Sequence, residues 1–214
     1  MQEVKDKAAF ITGGASGIGL GIAKACVNAG MKVVMADIRQ DHLDAALKYF
    51  KDQAQAGSVH GIRLDVTDRA AFERAADETE SVFGKLHLLV NNAGVGVIGP
   101  IKQTKYADWD WGLEVLIGGV VNGIQTFLPR ILKHGEGGHI CTTSSMTGLL
   151  PIAPSAIYSL AKAGVVGMSE SMRAELEADN IGVSAFCPGP VQTNIRETGK
   201  LRPEKYKDSG YIES

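Results

Sequence analysis

Thr12-Gly13-Gly14-Ala15-Ser16-Gly17-Ile18-Gly19 is the stretch whose reading decides the fold. It lies between a short apolar run, Ala8-Ala9-Phe10-Ile11-Thr12, and a segment of helical spacing from Ile18 to Ala29 that ends at Gly30. A glycine-rich turn from a buried strand into a helix builds a seat for a pyrophosphate. Gly13 allows the tight turn, Gly17 lets backbone approach the phosphates, and Gly19 permits close packing of the helix. The helix N-terminus, with Ser16 and Ile18 beside it, supplies N–H donors and a positive dipole. Glycines at strand–helix turns can also be simple turn formers, so the surrounding pattern has to carry the argument.

That pattern alternates strand and helix along the chain. β-branched or apolar runs at Lys32–Ala36, Val59–Leu64, Leu86–Val90, His139–Thr143 and Ile181–Phe186 predict five further strands. Helical spacing covers Asp41–Gln55, with Asp41 placed to cap its start, then Asp68–Phe83, roughly Tyr106–Leu132, and Ser155–Ala178. Strands alternating with helices of this length mean βαβ units. Right-handed crossovers then give an α/β, doubly wound parallel sheet, the Rossmann architecture, with six readable strands. Residues 1–191 are expected to form the dinucleotide-binding domain and to carry the catalytic residues. Residues 192–214 turn polar and lose any period, and read as a substrate loop or lid. The sequence stops before another strand is seen, so the chain is expected to be cut short there or to rely on a partner.

Composition narrows the function. The 214 residues suit one domain, and 22 Lys+Arg against 24 Asp+Glu leave a net charge of −2 with no basic run. Neither nucleic acid nor an anionic membrane surface is then an expected partner. No apolar stretch is read as approaching the roughly 18 residues of a membrane span, and the polar Met1–Asp6 start lacks a signal-peptide core. Cys26, Cys141 and Cys187 are odd in number and lack C-x-x-C spacing. They read as reduced thiols in a cytoplasmic protein, with no disulfide framework and no metal site. Cys26 and Cys187 are expected to fill core space, and the five histidines share no ligand spacing.

Asp37 ends the second strand, 18 residues past Gly19, with Ile38 following. An acid there accepts hydrogen bonds from both adenosine ribose hydroxyls and repels a 2′-phosphate, which favours NAD over NADP. Arg39 is a possible phosphate partner nearby, but the glycine loop itself holds no Lys or Arg. Further on, Tyr158 and Lys162 stand four apart at the start of a predicted helix, on one face. A phenol needs about 4 kcal/mol of differential stabilisation to drop three pH units. A cation about 4 Å away at an effective dielectric of about 20 supplies that much. Lys162 is therefore expected to depress Tyr158 into a general acid–base. Ser145, at the end of Thr142-Thr143-Ser144-Ser145, would polarise a substrate oxygen at the carboxyl end of its strand, and Ser144 competes for that role.

Taken together, the sequence resembles the short-chain dehydrogenase/reductase family across essentially its whole length. The resemblance rests on Thr12-Gly-x-x-x-Gly-Ile-Gly19, Asp65-Val66, Asn91-Asn92-Ala93-Gly94, Ser145, Tyr158-x-x-x-Lys162 and Pro188-Gly189-Pro190-Val191-Gln192-Thr193. It implies a serine 13 positions before the tyrosine, which selects Ser145. It also implies that Asp65 and Val66 bracket an adenine and that Asn91 lines the adenosine side. Val191 and Thr193 would hold the nicotinamide carboxamide, and Lys162 the nicotinamide ribose. The implied activity is hydride transfer between NAD(H) and a secondary alcohol or its ketone, in a homodimer or homotetramer.

Two departures from that pattern stand out. The family's helical asparagine is replaced by Leu116, which has no polar side chain and is expected to leave the helix uninterrupted. Asn122, about 240° further round, cannot take its place. The family's seventh strand and C-terminal helix are also missing from the sequence. These departures motivate an alternative, a catalytically impaired NAD-binding regulatory or scaffold protein. The segment Leu201–Tyr211 resembles the substrate loop of bacterial Cα-dehydrogenases that oxidise benzylic alcohols of lignin-derived β-aryl ethers. Met146 and Leu149-Leu150-Pro151 are expected to line an apolar substrate pocket, and Trp109 and Trp111 to serve packing.

Overall fold

The computed structural model describes residues 3–210. Its six strands are β1 (Ala8–Thr12), β2 (Lys32–Asp37), β3 (Val59–Arg63), β4 (Leu86–Asn91), β5 (Gly138–Thr143) and β6 (Ile181–Phe186). They form one parallel sheet in the order β3-β2-β1-β4-β5-β6. The order reverses beside β1, between β1 and β4. The crevice beyond the strand ends at such a reversal is where α/β sheets bind ligands.

Alternation along each strand divides the core in two. Ala8 and Phe10 of β1 point to one face, where α3 (Arg69–Phe83), α5 (Gly119–His134) and α6 (Ala156–Glu175) cover them. Phe10 stacks there on Phe127, ring centres 4.5 Å apart, with Phe72 at 6.4 Å. Ala9 and Ile11 face α1 (Gly17–Asn28) and α2 (Gln40–Asp52), with Met35, Leu43 and Phe50 fully buried beside them.

Three expectations change. Asp41 does not cap α2. Arg39 is the N-cap residue, and Asp41 sits in the first turn, paired with the Arg39 guanidinium. The long helix is not uninterrupted at Leu116. It runs as α4 (Tyr106–Leu113), a π-helical segment Glu114–Gly118 centred on that leucine, and then α5. Helix propensity reports the ease of helical backbone, not whether its hydrogen bonds close at four residues or five, so it cannot register this widening. Finally, the 29 residues Tyr106–His134 are long and apolar enough to cross a membrane by length and composition. Here they form a core helix, with Phe127 and Ile131 completely buried against the sheet.

Candidate active site

The carboxyl ends of the strands open onto a cavity of about 470 Å³ that reaches from Asp37 to Tyr158. At its β1 end, Gly13 and Gly17 adopt φ of +59° and +51°, the left-handed region that favours glycine. A Cβ on Gly19 would stand 2.0 Å from the Gly13 carbonyl oxygen, so α1 can start this close to the loop only as glycine. Ser16 caps α1 without using its side chain in the cap. The Asp37 carboxylate, 8% exposed, accepts hydrogen bonds from the Ala15 N–H (3.3 Å) and the Arg39 N–H (3.1 Å). It is thereby fixed at the cavity edge beside Ile38, and Asp65 and Val66 line the same end. This cradle, which a side chain would fill, together with a held acid fits a dinucleotide with free ribose hydroxyls.

Asn92 holds that end together, a role the sequence reading gave to neither asparagine. Its Nδ2 donates to the carbonyls of Thr12 (3.0 Å) and Gly13 (3.2 Å), and its Oδ1 accepts from Thr143 Oγ1 (3.2 Å). Thr12 Oγ1 in turn accepts the N–H groups of Asn92 and Ala93. Asn91 sits differently. It ends β4, 3% exposed and pressed against Gly123 of α5, away from the cavity lining and with both side-chain polar atoms unpartnered. Period-two alternation, applied from Val90 through Asn92, is the signal that could have separated the two.

At the other end stand Ser145, Tyr158 and Lys162, all on the cavity. Lys162 is 5% exposed, and its Nζ donates to the Thr143 carbonyl at 2.7 Å. That carbonyl belongs to the residue whose hydroxyl Asn92 accepts, so one connected network runs from glycine loop to lysine. Ser144 also lines the cavity but is buried, and its Oγ donates to the Lys162 carbonyl at 2.7 Å. Ser145 begins a 3₁₀ turn, accepts the Thr147 N–H, and hydrogen-bonds to Tyr158.

The electrostatics differ from the sequence expectation. Burial pushes the Tyr158 phenol above its ordinary value, and the bond to Ser145 pulls the other way. Burial also brings the Lys162 ammonium down to about 8, opposed by Cys187. Lys162 Nζ is 5.5 Å from the Tyr158 ring centre, and desolvation of both groups offsets the attraction that a closer pair in a wetter site would show.

The remaining expectations divide. Val191 and Thr193 line the cavity, and Thr193 packs over Gly17. Met146, Leu150 and Ile152 supply apolar wall, whereas Leu149 and Pro151 lie off it. Trp111 is both core and cavity lining. The Cys26 thiol is pushed up to about 11 by burial, with Cys141 adding to the rise, which fits a core filler. His87 and His134, which share no ligand spacing in the sequence, meet Glu136 at the amino end of β4, away from the cavity. His134 Nδ1 accepts the Glu136 N–H and its Nε2 faces the Leu86 carbonyl, while Lys85 and His87 occupy the Glu136 carboxylate. Those bonds engage the His134 Nδ1 lone pair and both Glu136 carboxylate oxygens, and leave His87 Nδ1 buried without a partner.

Residues 7–203 match the short chain dehydrogenase family. The chain belongs to that family. It is 46% identical over 215 aligned residues to the C alpha-dehydrogenase of a Sphingobium species, covering 100% of this chain and 70% of that relative. Among solved structures, the apo form of LigO from Sphingobium superposes with a TM-score of 0.86 at 45% identity, over 100% of this chain and 76% of that one. A short chain dehydrogenase/reductase from Burkholderia phymatum in complex with NAD superposes with a TM-score of 0.91 at 36% identity, over 96% and 73%. The chain is thus a short chain dehydrogenase domain, with the α/β sheet the sequence predicted.

Proposed function

We propose that this protein transfers a hydride between NAD(H) and a secondary alcohol or its ketone, with a benzylic or other aromatic alcohol as the substrate. The observation that carries the reading is the placement of Ser145, Tyr158 and Lys162 on the same cavity as Asp37 and the glycine loop. Asp37 would take the ribose hydroxyls, the Gly13–Gly19 turn the pyrophosphate, and Val191 and Thr193 the carboxamide end. Bound NAD supplies the hydride acceptor.

This chain's residues do the rest. Ser145 orients the substrate oxygen through its hydroxyl. Tyr158 takes the hydroxyl proton during oxidation and returns it to the carbonyl oxygen during reduction. Lys162 favours the deprotonated phenol by its charge. Met146, Leu150, Ile152 and Trp111 exclude water around an apolar group and suit an aromatic ring. The similarity to a C alpha-dehydrogenase supports the aromatic alcohol over an aliphatic one.

The test is appearance of NADH when purified protein meets a panel of secondary alcohols, with Tyr158→Phe as the control. That substitution removes one oxygen and keeps the ring. Turnover should fall by about a hundredfold or more, the usual size of a general acid–base contribution, while NAD binding by titration stays intact. NAD binding with no turnover of any alcohol or ketone would instead favour a binding protein that has lost catalysis.

A further inference from the structure

Beyond Thr193 the chain folds as two 3₁₀ segments, Asn194–Leu201 and Glu204–Tyr206, of which the first runs along the cavity. Leu201 and Pro203 line it, whereas Arg202 between them turns away into the protein. There it meets Asp108, which is completely buried in the first turn of α4. Asp108 has four partners: it forms an ion pair with Arg202 Nη1 at 2.9 Å and accepts hydrogen bonds from Ser209 Oγ at 2.6 Å and from the N–H groups of Gly210 and Lys105, both at 2.9 Å. Three of these come from the polar tail, and the fourth closes the capping box of α4. The Arg202 guanidinium also lies over the Trp111 ring, 4.3 Å from its centre, and donates to the Tyr206 carbonyl.

We propose that Asp108 and Arg202 are a positioning pair that holds residues 199–210 as the substrate-side wall of the cavity, and so sets alcohol affinity without touching the alcohol. The inference rests on the reading of the cavity as an alcohol site. A buried ion pair contributes little net stability, and in some proteins its role is to fix one arrangement. This one is imperfect as a stabiliser, since Arg202 Nε is buried without a partner. Its partners are correct for register: one carboxylate gathers positions 202, 209 and 210 onto α4, next to the Trp111 that also lines the cavity. The exposed pairs Lys205–Glu114 and Lys105–Asp208 join the same two segments but are screened by solvent. Gly210 completes the fit. A Cβ there would lie 1.4 Å from the Gln103 carbonyl oxygen, so the tail docks at this point only as glycine. The cofactor side is tethered separately, by Thr193 over Gly17 and by the Gly96 N–H to Thr198 Oγ1 bond at 2.9 Å.

Two variants test the pair from different directions. Arg202→Met keeps an apolar stem over Trp111 and removes the charge. Gly210→Ala blocks docking and leaves both charges in place. Each is followed by KM and kcat for the alcohol, by NAD affinity in titration, and by trypsin cleavage after the exposed Arg196 and Lys200, identified by fragment mass. In both variants cleavage should speed up about tenfold, the loss expected for one charge-assisted hydrogen bond, because it follows the population of the undocked tail. Alcohol KM should rise severalfold, with kcat and NAD affinity within about twofold, since only the docked fraction binds alcohol. Arg202→Lys should recover part of the KM. Unchanged cleavage and KM in both variants, or a fall in kcat at constant KM, overturns the proposal. If the unmodified protein turns over no alcohol, the function reading fails, and the cleavage rates alone still decide whether the pair docks the tail.

Discussion

The pH dependence of alcohol oxidation should report Tyr158 and Lys162 as one unit. Oxidation needs the phenolate beside the ammonium. That state carries the same number of protons as the phenol beside the neutral amine, so the two interconvert without exchanging a proton with solvent. Its population therefore grows with the first ionisation of the pair. Burial places that step at or below about 8, the value to which Lys162 is brought down, although Tyr158 itself is pushed up. One pH unit below the step about a tenth of the pair has lost a proton, and two units below about a hundredth. The kcat/KM for oxidation should then climb close to tenfold per unit through the acid range and level off above about pH 8. Reduction, which uses the protonated phenol, should run in the opposite sense. A further cation bound beside the pair moves the rise to lower pH, not higher. Lys162→Met removes the cation whose Nζ lies 5.5 Å from the Tyr158 ring centre, and a pair of unit charges about 5 Å apart at an effective dielectric of about 20 attract by about 3 kcal/mol. The rise should then move up by about two pH units. Initial rates of NADH formation across the range, in both proteins, make the measurement. A flat profile in the unmodified protein, or a rise already centred near the ordinary phenol value of about 10, would refute the reasoning.

Asp37→Ala should weaken NAD, leave NADP little changed and so narrow the gap between them in titration; equal affinities in the unmodified protein would sink the cofactor assignment. Leu116→Asn places an amide at a position 1% exposed, beside Gly94. Left without partners it should cost about 1–3 kcal/mol in denaturant unfolding. If a polar group there is what proton exchange lacks, oxidation should still speed up at low pH, and an unchanged profile in a folded variant argues that the π-helical turn already serves. Phe127→Ala empties the stack on Phe10 and should lower stability by about 3–5 kcal/mol, with NAD affinity per folded molecule retained.

How much of this was legible beforehand follows from where each signal is stored. The strands announced themselves because both faces of the sheet are covered, which forces runs such as Val33–Ala36 and Leu88–Val90 to be apolar throughout. The glycine loop was equally plain, since positive φ and close approach leave glycine little competition. Local competition hid the start of α2. Asp41 has the chemistry of a cap, but Arg39 two residues earlier captures its carboxylate. The widening at Leu116 left no letter, because a π turn changes hydrogen-bond phase rather than residue type. Asp108 and Arg202 were ordinary charges in their own segments, and only the tertiary fold brings them together. Tyr158 lies on the cavity as its spacing to Lys162 suggested, but its phenol is pushed up rather than down, because burial is a property of everything packed around a residue and not of the residue four along.

The π-helical segment has one more consequence, for insertions and deletions. An α-helix advances about 100° per residue, and Glu114–Gly118 accommodates its extra length without breaking the rod between α4 and α5. Removing one residue from it would let the segment relax to regular α-helix, and because the wide turn alone holds the extra residue, the helices on either side would keep their facing. Asp108 and Trp111 would stay against the polar tail, and Phe127 against the sheet. The same deletion in the regular turns of α5 has no such slack, and would turn α4 by about 100° relative to the sheet. A codon can thus be lost at this widened turn, and at no regular turn of the same rod, with both the substrate wall and the nucleotide half left as they were.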